Sequence, residues 1–277
     1  MYKQSSRKRY FQGIVEKKFF VRSNILLYIC IALVSLLPFR VTAASQNEIT
    51  VSAAASLTNV FEEVAKNFET RKKGVKVHIN FASSGNLMRQ IIAGAPVDVF
   101  ASAAAREMDE LDKRQLLIDG TRHNFAENGI VLIRPASFKT GLTSFTDLKK
   151  NVIKKIAMGN PATVPAGMYA EQTLRNQKIW DSIKDKMIYC EHVRQVLDYV
   201  ARGEVDAGIV FSTDTAVRAK EVTVVVMAPE GIYNKALYPI AVVRDTKNEA
   251  LSKMFVDFVL SAEGKKLLEK YGLKSMK

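Results

Sequence analysis

The stretch EITVSAAASLTNVFEEVAKNF, residues 48–68, joins two hydrophobic rhythms through a run of small residues. Ile49-Thr50-Val51 is a short β-branched run of the kind that forms a buried strand. Beyond the small residues, Leu57, Val60, Phe61, Val64, Ala65 and Phe68 recur at spacings of three and four, which lays one apolar stripe along a helix. A strand feeding directly into a helix is half of a β-α-β unit.

Working outward, the same unit repeats. Val75 to Phe81 precedes a helix from about Gly85, Asp98 to Ala101 precedes a helix through Met108 and Leu111, and Ile156 to Met158 precedes a helix from about Pro165. Val193, Val196, Leu197 and Val200 form one helical face that stops at Gly203, a residue suited to a C-terminal cap, and Ala207 to Phe211 reads as a further buried strand. Repeated strand and helix predict an α/β chain with parallel or mixed sheets flanked by helices. Gly129 to Arg134 and Tyr238 to Val243 read as strands long enough to pass between two lobes. Two crossings leave one lobe discontinuous: residues 44–130 with 236–277 as the first lobe, and 131–235 as the second. The terminal segment with Met254, Phe255, Phe258, Val259, Leu267 and Leu268 then returns as helices to the first lobe, and the paired crossings form a hinge that permits closure.

The beginning of the chain has a different character. Lys3, Arg7, Lys8, Arg9, Lys17, Lys18 and Arg22 precede an apolar run from Ile25 to Leu37, closed by Pro38 and followed by Val41-Thr42-Ala43-Ala44. That order predicts a cleavable signal peptide over residues 1–43, the apolar run being shorter than the roughly 18–20 residues of a membrane-spanning helix. Cys30 lies within the run after Ile29, which argues against a lipid anchor. Cys190 is then the one cysteine of the mature chain, so its core holds without an intramolecular disulfide. The leader takes eight of the 41 bases and one of the 28 acids, leaving 33 against 27, so the formal charge falls from +13 to +6. Most of the basicity belongs to the leader. Runs such as Arg71-Lys72-Lys73 read as solvated faces, and no stripe of interleaved aromatic and basic residues points to nucleic acid.

Four turns join strand ends to helix starts through small, serine-bearing or proline-bearing residues: Ala53-Ala54-Ala55-Ser56, Ala82-Ser83-Ser84-Gly85-Asn86, Val164-Pro165-Ala166-Gly167 and Glu191-His192-Val193-Arg194. A helix start presents backbone N–H groups without intrahelical partners and carries partial positive charge. One such serine is ordinarily a helix cap, but several starts aimed at one point hold an anion without a formal cation. Pro165 suits a first helical turn, Ala166 and Gly167 allow close approach to the backbone, and Ser56 and Ser84 add hydroxyl donors. In open α/β sheets ligands lie beyond the carboxyl ends of strands, where all four turns fall.

Taken with Gly94-Ala95-Pro96-Val97-Asp98-Val99-Phe100-Ala101-Ser102-Ala103 and Gly159-Asn160-Pro161, these turns resemble the periplasmic molybdate-binding proteins of ABC importers, from Glu48 to the C-terminus. The resemblance implies a two-lobed periplasmic-binding-protein fold of type II with a two-strand hinge. It also implies a monomer without cofactor that holds molybdate or tungstate in the interlobe cleft and delivers it to a membrane permease with its ATPase. Carried over from the family, the oxyanion-binding positions are Ser56, Ser84, Ala166 and Val193, with molybdenum present as the oxyanion. At the fifth position the family has a tyrosine and this chain has Phe211, which cannot donate a hydrogen bond. Ser212, Thr213 or a water is the expected substitute.

Two other readings use the same residues. Sulfate, phosphate or ferric iron could occupy the same scaffold, although ferric binders usually present adjacent tyrosines and none are adjacent here. A hydrolase would use Ser56 or Ser84 with His123 or His192, but the sequence contains no Gly-x-Ser-x-Gly elbow, no His-Glu-x-x-His site and no Gly-rich phosphate loop. The expectation is a binding protein, not an enzyme.

Overall fold

The computed structural model describes residues 47–139 and 141–276, so the leader expected over residues 1–43 lies outside the described residues. In chain order the elements are β1 (Glu48–Ala54), α1 (Thr58–Arg71), β2 (Lys76–Ala82), α2 (Ser84–Ile92), β3 (Val99–Ala101), α3 (Ala105–Lys113), β4 (His123–Asn128) and β5 (Ile130–Pro135). There follow β6 (Ile156–Gly159), α4 (Pro165–Asn176), α5 (Trp180–Ile183), β7 (Met187–Cys190), α6 (Val193–Ala201), β8 (Ala207–Phe211) and β9 (Val222–Met227). The chain ends with β10 (Ala236–Val242), α7 (Glu249–Leu260), α8 (Ala262–Lys270) and β11 (Lys274–Ser275).

The strands form two sheets, ordered β11-β4-β10-β3-β1-β2 and β7-β6-β8-β5-β9. β1 is parallel to β2 and β3, and β6 is parallel to β7 and β8. The remaining pairings, β10 with β3 and β4, β11 with β4, and β5 with β8 and β9, are antiparallel. Both sheets are therefore mixed, because the strands flanking each crossing return against the direction of the repeated units.

Helices cover both faces of the first sheet. On one face α1 buries Val60, Phe61, Val64, Ala65 and Phe68, the stripe read from its periodicity. Phe61 and Phe68 meet Phe255 of α7 at ring-centroid distances of 6.3 and 5.3 Å, in the edge-on geometry that aromatic rings favour. The other face carries a separate core of Leu87 and Ile91 from α2, Met108 and Leu111 from α3, and Phe100 and Ala241 from the sheet. Phe100 points to this side while Val99 and Ala101 pack with the larger core, as strand alternation requires. In the second sheet α6 buries Val193, Val196, Leu197 and Val200, and Gly203 beyond it takes φ +71°, the left-handed conformation of a helix stop.

Each of the two long strands read as a crossing lies within one sheet, β5 in the second and β10 in the first. The chain changes sheets at Gly129, between β4 and β5, and again through 228–235, between β9 and β10. At Gly129 the N–H turns to the Asn128 Oδ1 at 2.9 Å, which takes that donor out of the strand ladder. Among the described residues no helix is long and apolar enough to cross a membrane.

Candidate functional site

Parallel pairing brings the carboxyl ends of β1, β2 and β3 to one edge of the first sheet, and those of β6, β7 and β8 to one edge of the second. Ser56 lies in a one-turn 3-10 segment, Ala55–Leu57, after β1, and Ser84 is the first residue of α2 after β2. Ala166 is in the first turn of α4, Val193 opens α6, and Phe211 ends β8. All five are buried.

The local geometry depends on small residues. A Cβ on Gly167 would lie 1.9 Å from the Gly159 carbonyl oxygen, so α4 can begin this close to the end of β6 only with glycine there. α6 begins at a cap in which His192 Nδ1 accepts the Gln195 N–H at 3.2 Å. That is the role of His192 in this structure; His78 and His123 are exposed.

Hydrogen bonds join the two edges. Gly85 N–H donates to the Thr163 carbonyl at 2.9 Å, tying the Ser84 turn to the loop before α4. Arg194 Nη2 donates to the Ser56 carbonyl at 3.3 Å, tying the Ser56 turn to the start of α6. Arg106 adds bonds to the Pro161 and Ala162 carbonyls at 3.1 and 3.3 Å, and also binds Glu107, whose carboxyl is pushed up by burial and drawn back by Arg106. The sequence-derived turns thus face one another in pairs: Ser84 with the Ala166 turn, and Ser56 with the Val193 turn. Phe211 joins the second pair through Tyr238, its ring centroid 5.5 Å away, and Tyr169 lies on it at 6.3 Å.

The serine hydroxyls are already partly engaged. Ser84 Oγ accepts the Ala103 N–H at 3.0 Å, and Ser56 Oγ lies 3.0 Å from the Tyr238 hydroxyl. Of the expected substitutes for the missing phenol, Ser212 Oγ donates to Asn128 Oδ1 at 2.9 Å and Thr213 Oγ1 accepts from Asn128 Nδ2 at 2.8 Å. Both face Asn128.

Beside the Ser56 turn, Arg194 Nε stands 2.8 Å from Asp214 Oδ1, yet no aligned hydrogen bond forms, so the pair is held by charge. Asp214 is fully buried, and burial pushes its carboxyl up to about 6 against the pull of Arg194. Burial likewise raises Tyr238 well above the ordinary phenol range and keeps it a neutral donor. Among the described residues no group of three or more His, Cys, Asp or Glu side chains is placed to hold a metal ion. A cavity of about 380 Å³ lined by Ser56, Arg194, Ser212 and Thr213 does not extend to Ser84, Ala166 or Val193, so it is not the cradle these turns enclose.

Sequence reasoning missed Tyr238, Asn128 and Asp214. A weak signal existed for Tyr238: a tyrosine inside an apolar strand must find a partner for its hydroxyl. Nothing local names that partner.

Two α/β lobes with facing strand ends and a double crossing define a two-lobed solute-binding protein. The chain belongs to the bacterial extracellular solute-binding protein family, whose model matches residues 49–274. It is 39% identical over 235 residues to the molybdate-binding protein ModA of Escherichia coli, covering 83% of this chain and 90% of that protein. The molybdate-binding protein ModA of Haemophilus influenzae is 36% identical over 235 residues, with 83% and 91% covered. In fold it is similar to the periplasmic molybdate-binding protein of Azotobacter vinelandii, with a TM-score of 0.73 at 23% identity, covering 83% of this chain and all of that one.

Proposed function

We propose that the chain is an extracytoplasmic binding protein for molybdate and tungstate, held by hydrogen bonds between the lobes and passed to an ABC importer permease with its ATPase. The observation that carries this reading is the pairing of four helix-start turns across the two sheet edges, with Gly85 bonded to Thr163 and Arg194 to Ser56. Such a cradle of N–H and O–H donors suits a small anion whose every oxygen accepts. The relatives named molybdate-binding proteins support the choice of anion.

In this reading Ser56 and Ser84 donate from one lobe, residues 44–130 with 236–277, and Ala166 and Val193 from the other, residues 131–235. The membership of the two sheets supports that division. Residues 1–43 act as the export signal, and the mature monomer from about Ala44 works in the periplasm without a cofactor and without catalysis. Because Phe211 offers no hydroxyl, one charge-assisted hydrogen bond of about 1.5–3 kcal/mol is absent relative to a tyrosine, which lowers affinity without abolishing it.

Thermal melts of the mature chain with molybdate, tungstate, sulfate, phosphate or ferric iron test the proposal. Molybdate and tungstate should each stabilise, by about 4 kcal/mol at a thousand times the dissociation constant. Stabilisation by sulfate or phosphate alone would reassign the ligand. Labelling of Ser56 or Ser84 by a serine-directed covalent probe, with no response to any anion, would return the hydrolase reading.

A further inference from the structure

We infer that Tyr238, oriented by Asn128, is a positioning residue of the anion site: it gives its proton to Ser56 Oγ and so leaves the Ser56 proton free for the ligand. The inference rests on the proposed anion site and extends it to a chain of hydrogen bonds behind Ser56.

The direction of that chain follows from donors that cannot be reversed. The Gly129 main-chain N–H only donates, and it reaches Asn128 Oδ1 at 2.9 Å, so the carbonyl end of the Asn128 amide must face it. Ser212 Oγ donates to the same oxygen at 2.9 Å. The Asn128 Nδ2 is then turned the other way, with one proton for Thr213 Oγ1 at 2.8 Å and the other for the Tyr238 oxygen at 3.1 Å. Tyr238 is fully buried, and its remaining hydrogen-bond partner is Ser56 Oγ at 3.0 Å. If Ser56 donated to Tyr238 instead, the phenol proton would face only the Asn128 amine, which cannot accept, and would be buried without a partner. Tyr238 therefore donates and Ser56 accepts.

A serine that accepts here keeps its single proton for another oxygen, and accepting one hydrogen bond strengthens the one it gives. Ser84 is placed in the same way, since its Oγ accepts from the Ala103 main-chain N–H at 3.0 Å. Both serines are thus set as donors by groups behind them, one by backbone alone and one through Tyr238 and Asn128. This polarity matches an oxyanion oxygen that carries no proton.

Calorimetry with molybdate on the mature chain and on Tyr238→Phe, Ser56→Ala and the double variant tests the inference. Tyr238→Phe should bind about three- to tenfold more weakly, and Ser56→Ala more weakly still. The decisive comparison is the double variant, which should bind no more weakly than Ser56→Ala, because Tyr238 acts through Ser56; a purely structural effect would multiply with the serine loss. Unchanged affinity in Tyr238→Phe, or losses that multiply, overturns the inference. Ligand-free melts check folding. If Tyr238→Phe does not fold, Asn128→Asp, which draws the phenol proton away from Ser56, takes its place; a loss that shrinks in the Ser56→Ala background supports the inference, and an equal loss in both backgrounds overturns it. A parent chain that binds no oxyanion refutes the proposed function as well, whereas the variant outcomes leave that function standing.

Discussion

Gly85 gives its backbone N–H to the Thr163 carbonyl at 2.9 Å, and a Cβ at position 85 would lie 2.7 Å from that same oxygen. The contact joining the two sheet edges therefore admits no side chain. Gly85→Ala should leave ligand-free stability within about 1 kcal/mol, since alanine favours the helix, while obstructing closure. Molybdate affinity should fall at least about tenfold, which is about 1.4 kcal/mol. Calorimetry reads the loss, and small-angle scattering should show ligand-induced compaction in the parent that is reduced in the variant.

Ser84→Ala should cost both affinity and stability. It removes a proposed ligand donor, and it also leaves the Ala103 N–H, now bonded to Ser84 Oγ at 3.0 Å, without its acceptor in a buried place. A buried unpaired donor costs about 1–3 kcal/mol, so the ligand-free melting temperature should fall together with the affinity for molybdate. Loss of stability with intact binding would remove Ser84 from the site.

Phe211→Tyr supplies a phenol at the one position where the resemblance to the molybdate-binding proteins leads to a tyrosine being expected. Affinity for molybdate should rise, by up to about 1.5–3 kcal/mol if the new hydroxyl meets an anion oxygen. Phe211 is packed between Tyr238 and Tyr169, so weaker binding in the variant would mean that this pocket has been rebuilt around the smaller ring.

Asp214 makes stability depend on pH in an uncommon direction for a carboxylate. Its folded value near 6 lies above the ordinary 3.8, so the folded state holds the proton more tightly. The stabilisation from this group is complete below about pH 4 and is lost as pH rises through about 6, by up to about 3 kcal/mol. Melts from pH 4 to 7 should show the parent losing stability relative to Asp214→Asn across that window. Parallel curves would place the carboxylate ionised throughout, fully compensated by Arg194.

Much of the architecture could be read locally. The α1 and α6 stripes, the strand before α1, and the turns at Ser56, Ser84, Ala166 and Val193 all follow from short-range spacing, and each turn lies beyond the carboxyl end of its strand in the fold. What escaped is either too short or patternless locally, or non-local. β7 has only four residues, and VTVVVM in β9 has no alternation to tell strand from helix. Tyr238 meets Ser56 across 182 residues and Asn128 meets Thr213 across 85, distances over which no periodicity carries information. β5 and β10 are legible as strands and mixed sheets are among the expectations, but which strands these two pair with escaped for the same reason: partners are chosen by the assembled sheet.

The insertion of β10 between β3 and β4 sets an order on folding. The second sheet draws all its strands from one continuous stretch, Ile130–Met227, and can assemble by itself. The first cannot join its two halves until Ala236–Val242 has been made, since β3 and β4 touch only through that strand. Long-range pairing of this kind is slow to form because loop closure precedes the contacts that reward it. A chain truncated before residue 236 should therefore have a structured middle and unpaired strand edges at Val99–Ala101 and His123–Asn128, the surfaces on which a chaperone or an aggregate would form.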